Sequence, residues 1–80
     1  MNGPKVTIQL TCSHGFDGNK LCRELAKKLG NKGYSYSQRN NDGTLNLSYE
    51  GSVQSVSDAI DFGEVTQVDE AQRTITVTIP

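Results

Sequence analysis

Cys12, His14 and Cys22 are the residues of this chain whose types and spacing could do chemistry. Two thiols and an imidazole are ligands that suit zinc or copper, and a thiolate with a base in reach is a nucleophile. Cys12 opens the segment Cys12-Ser13-His14-Gly15, and Cys22 follows in the first turns of a helical run. His14 is the sole histidine, so a Cys–His nucleophile pair has no third group to orient it. The opposing reading is equally specific. Cys12 continues the parity of Ile8 and Leu10, and Cys22 shares a stripe with Leu25 and Leu29, which suits small buried hydrophobes. The greater weight falls there. Both thiols are expected to be reduced and at least partly buried, and a metal site of Cys12 with His14 or Cys22 is the alternative.

These residues sit at a strand-to-helix junction. Val6, Ile8 and Leu10 alternate with polar residues over Lys5–Thr11, which predicts a strand. Asp17 is an N-cap for a helix whose apolar stripe is Leu21, Cys22, Leu25, Ala26 and Leu29, with Gly30 at its end. A hairpin follows, with Tyr34 and Tyr36 on one arm, Leu45, Leu47 and Tyr49 on the other, and the turn at Asn40-Asn41-Asp42-Gly43. Gly51-Ser52 opens a shorter helix carrying Val53, Val56, Ala59 and Ile60, and Gly63 is the expected C-cap. Ile75, Val77 and Ile79 alternate with threonines in a last strand. Val65 and Val68 break period two, which predicts a bulged or irregular extra strand before it.

The order is strand, helix, strand, strand, helix, strand. It predicts an α+β, ferredoxin-like βαββαβ sandwich, its sheet antiparallel, both helices on one face and an extra strand near the C-terminus. Residues 1–80 are read as one domain. The expected core is Val6, Ile8, Leu10, Leu21, Leu25, Leu29, Leu45, Leu47, Val56, Ile60, Ile75 and Val77.

With Cys12 between first strand and first helix, the chain resembles heavy-metal-associated, metallochaperone-like domains. In that family two cysteines of a C-x-x-C loop bind a soft metal, and the resemblance implies Cys12 as the first ligand. Gly15 stands where the second would be. Cys12-Ser13-His14-Gly15 also resembles the phosphocysteine loop of phosphotransferase-system IIB proteins, although Phe16 and Asp17 replace the hydroxyl residues of that loop.

Composition narrows the function. Net charge is -1 and hydrophobic residues are 34% of the chain, so the basic excess used for non-specific nucleic-acid binding is missing. The polar face of the sheet offers no aromatics for stacking bases. No stretch is apolar enough to span a membrane, and Met1–Lys5 shows no leader pattern, which points to the cytoplasm. Charge is segregated, however. From Lys20 to Arg39 the charged residues are Lys20, Arg23, Glu24, Lys27, Lys28, Lys32 and Arg39, a basic stretch, whereas from Asp42 to Glu70 they are Asp42, Glu50, Asp58, Asp61, Glu64, Asp69 and Glu70, all acidic. The expectation is a small soluble binding or interaction module, not an enzyme and without a cofactor. Its charged helices would serve a protein partner, neither nucleic acid nor membrane being expected, and the sequence leaves the oligomeric state open.

Overall fold

Alternation in Lys5–Cys12 builds β1, with Val6, Ile8, Leu10 and Cys12 buried and Lys5, Gln9 and Thr11 exposed. The computed structural model describes residues 5–12, 17–30, 33–39 and 41–80. After β1 come α1 (Gly18–Lys28), β2 (Tyr34–Arg39), β3 (Asp42–Ser48), α2 (Val53–Ala59), β4 (Glu64–Asp69) and β5 (Thr74–Ile79).

Both helices start on side-chain caps. The Asp17 carboxylate accepts from the Lys20 amide at 3.1 Å, satisfying one of the free donors of the first turn. Ser52 caps α2 in the same way, accepting from the Ser55 amide at 3.2 Å. Lys27 and Lys28 occupy the last turn of α1, beside the negative end of its dipole. Gly30 then takes a φ of 66°, a left-handed turn that glycine adopts at little cost. At α2 the expected C-cap, Gly63, plays no such part. Ile60 ends that helix in an extended conformation three residues earlier.

The sheet order is β2-β3-β1-β5-β4. Here the expected all-antiparallel sheet is corrected. β1 and β5 run parallel, from Thr7 opposite Thr74 to Cys12 opposite Ile79, while the other neighbours are antiparallel. The cause is the extra strand. α2 delivers the chain to the far edge as β4, and the hairpin back inserts β5 between β4 and β1. The result is a five-stranded mixed sheet, compatible with a ferredoxin-like arrangement but differing from it in strand number and order. The predicted irregularity is real, since the β4–β5 register shifts between Val65 and Gln67.

One face of the sheet and the inner faces of both helices share a single apolar core. Val6, Ile8, Leu10, Leu45, Leu47, Ile75 and Val77 supply the sheet side; Cys22, Leu25, Ala26, Val53 and Val56 supply the helices. α1 lies over β2 and β3, and α2 over β4 and β5. Leu21 and Leu29 are only partly buried, because α1 tilts its Cys22–Leu25–Ala26 stripe inward and leaves these two on its margins.

The hairpin turn is tighter than the residue types suggest. Asp42 and Gly43 already belong to β3, opposite Arg39 and Gln38. Gly43 is there for room: a Cβ on Gly43, or on Gly18 of α1, would collide with the Tyr36 ring. That ring bridges β2 to the start of α1.

Candidate functional site

Cys12 ends β1 and Cys22 lies one turn into α1, and both are free and buried, 3% and 1% exposed. At Cys22 burial disfavours the thiolate. The Cys22 thiol is accordingly pushed up to about 12, so it is protonated and a poor nucleophile at neutral pH. His14 lies outside the described residues, as does the rest of the 13–16 segment. Among the described residues no three His, Cys, Asp or Glu side chains are grouped to hold a metal ion. No polar or charged side chain among them is buried. Apart from the two thiols, that set therefore holds no buried ionisable side chain.

What the fold leaves accessible falls into three places. The first is the outer sheet face, where Thr7, Gln9, Thr11, Ser35, Ser37, Thr44, Asn46, Thr74, Thr76 and Thr78 stand in register rows with no helix over them. Thr7 Oγ1 donates to Asn46 Oδ1 at 3.0 Å, tying two of these strands together. The middle of this face carries hydroxyls and amides, and charges stand at its margins, Lys5, Arg39, Asp42, Glu64 and Asp69. The second is an open depression of about 550 Å³ lined by Asp61, Phe62, Gly63, Glu64, Thr78 and Pro80. Its Asp61 is already engaged: Lys28 Nζ donates to it at 2.7 Å, and that contact, with the lysine charge, holds its carboxyl below the usual range.

The third place is the side of the molecule formed by α1 and the β2 edge. Successive residues of a helix are turned by about 100°. With Cys22, Leu25 and Ala26 facing inward, Lys28 points toward α2, where it also donates to the Ala59 carbonyl at 3.4 Å. Arg23 falls on the opposite flank, over the β2 edge, with Lys27 and Lys20 further round toward the crest. All three are exposed, and among the described residues none of their side chains makes an ion pair.

Below this flank the backbone of β2 is open. The Ser48 amide donates to the Gly33 carbonyl at 3.0 Å, which fixes the alternation of the β2–β3 ladder. Ser35, Ser37 and Arg39 therefore bond inward to Asn46, Thr44 and Asp42, and the N–H and C=O groups of Tyr34, Tyr36 and Gln38 point outward. Tyr34, at 37% exposure, is the exposed large hydrophobic side chain of the described residues, and it sits on this edge. Tyr36 beside it is half-buried, its phenol donating to Gln38 Oε1 at 3.0 Å. Burial foremost, then the neighbouring Cys22 and Asp17, raises the Tyr36 phenol above its usual value.

The sequence showed the basic helix but not which of its cations stay unpaired. A helical wheel anchored on Cys22 and Leu25 separates Lys28 from Arg23, and that signal was available. Arg73 gave no comparable signal. At a φ of 51° it ends the turn just before β5 and donates to three carbonyls, those of Lys5, Tyr49 and Gly51, at 3.0, 2.8 and 2.8 Å.

No family model, curated protein or solved structure matches the chain.

Proposed function

We propose that this chain is a binding module that holds a protein partner against the side built from α1 and β2. The observation that carries the reading is the set of exposed cations Lys20, Arg23 and Lys27, which make no ion pair among the described residues and outnumber the one acid of α1, Glu24, beside a strand edge that no described strand covers, while Lys28 is taken up by Asp61. Cations grouped on one surface raise the encounter rate of an acidic partner and fix its orientation. Among the described residues the buried side chains are apolar apart from the Cys12 and Cys22 thiols, and burial keeps Cys22 protonated, which supports a scaffold role for this layer.

The test is a selection from an unbiased displayed peptide library, run in parallel on the native chain and on the triple variant Lys20→Glu, Arg23→Glu and Lys27→Glu. Circular dichroism would establish that the variant is folded. Peptides enriched by the native chain and lost on the variant are expected. If nothing is enriched, or if the ligands ignore the charge reversal, the reading is wrong.

A further inference from the structure

We infer that the partner contributes an extended acidic segment that adds to the sheet as a further strand beside β2. The inference rests on the binding-module reading and specifies the partner's chemistry. An unpaired strand edge is a template for another strand, and proteins usually blunt such edges with charges, bulges, prolines or short length. The two edges of this sheet differ in that respect. β4 carries a bulge between Val65 and Gln67 and an acidic residue at each end, Glu64 and Asp69. β2 has an unbroken register from Tyr34 to Arg39 and no charge before Arg39. Three outward N–H groups and three outward C=O groups, on Tyr34, Tyr36 and Gln38, stand ready for a strand placed about 4.8 Å away.

Side chains define what that strand must be. On the helix side its alternate residues would meet Tyr34 and Tyr36 on the flank that carries Arg23 and Lys27, which favours carboxylates toward Tyr34, away from Asp17 beside Tyr36. On the outer side they would continue the rows of Ser35 and Ser37, which favours small hydroxyl residues. A second copy of this chain fits worse. Edge-to-edge pairing through β2 would bring two basic α1 flanks together, with Arg23 and Lys27 of each copy facing their counterparts.

The probe is a capped peptide alternating glutamate with threonine, long enough to span β2, titrated into the isotopically labelled chain and followed by amide chemical shifts. Saturable binding that moves the amides of Tyr34, Tyr36 and Gln38 and weakens with salt is expected. Two changes should each lower affinity by roughly tenfold or more. One is the triple charge reversal on α1. The other is Gln38→Pro, which removes an outward N–H while sparing the bonds to β3, with Gln38→Ala retaining binding. A peptide N-methylated at alternate residues should not bind. Equal binding of the methylated peptide, or shifts confined to α1 or to the threonine face, would overturn strand addition while leaving the module reading intact. Absence of binding by the probe would overturn it as well. So would concentration-dependent dimerisation abolished by Gln38→Pro, since the occupant would then be a second copy. Failure of the module reading itself would show as an empty library selection.

Discussion

The two lateral flanks of this sheet are finished in opposite ways. On the β4 and β5 side, Arg73 fastens the start of β5 to the ends of β1 and β3 and to the residue before the α2 cap, Lys28 ties α1 to Asp61, and the edge strand is bulged. On the β2 side, the phenol of Tyr36 bonds within its own strand, and among the described residues three cations make no ion pair and the outward backbone groups of β2 pair with no strand. Hydrated backbone groups cost little on a surface, so stability does not require the β2 edge to be closed. Among the described residues, then, the polar groups of one flank are engaged in joining elements, whereas those of the other flank are engaged with no other element.

The largest expected effect tests the apolar layer that both flanks share. Leu25→Ala removes a side chain 1% exposed and should cost about 2–5 kcal/mol in urea unfolding. Leu21→Ala, at a partly exposed position outside the core cluster, should cost much less. Equal losses would mean that α1 presents a different face. Next comes the clamp. Arg73→Ala should destabilise by about 1.5–3 kcal/mol, and Arg73→Lys should recover little, because an ammonium cannot span three carbonyls as a guanidinium does. Ligand binding at β2 should survive this change in conditions where the variant is folded; a parallel loss of affinity would show that the flanks are coupled.

A third effect appears only at alkaline pH. The Cys22 thiol titrates near 9.0 when free but at about 12 in the fold. Its contribution is therefore intact below pH 9 and lost as pH rises toward 12, at a slope of at most about 1.4 kcal/mol per pH unit. The raised Tyr36 phenol adds to the same loss. Cys22→Ala should flatten the alkaline limb of a stability-against-pH curve, and an unchanged limb would mean that Cys22 is not shielded from water. The smallest effect belongs to the surface pair. Lys28→Ala should leave the unfolding midpoint nearly unchanged, since exposed ion pairs contribute little. Asp61 titrates below the usual carboxylate range, so what it does contribute is present at neutral pH and fades as pH falls through that lowered value.

Periodicity made most elements legible. The alternation of Val6, Ile8 and Leu10, the Asp17 cap and the break at Val65 and Val68 each mark a feature that the structure contains. The parallel β1–β5 pairing was not legible, because alternation records which face is buried and not which strand lies alongside. Gly43 misled for a related reason: its residue type suits a turn, but the tertiary contact with Tyr36 determines its place. The burial of Cys12 and Cys22 was legible from parity and stripe. The candidate surface was legible only in part, since the charges of α1 are visible in sequence and the open backbone of β2 depends on strand order.

Residue-resolved amide hydrogen exchange, with and without a saturating library-selected ligand, tests the contrast between the flanks most directly. In the free chain, the amides of Tyr34, Tyr36 and Gln38 should exchange faster than those of Ser35 and Ser37, which are bonded to β3. On binding, those three should become protected while β4 is unchanged. Slow exchange at Tyr34, Tyr36 and Gln38 in the free chain, or protection gained on β4 or the threonine face instead, would contradict the assignment of β2 as the open edge that receives the partner.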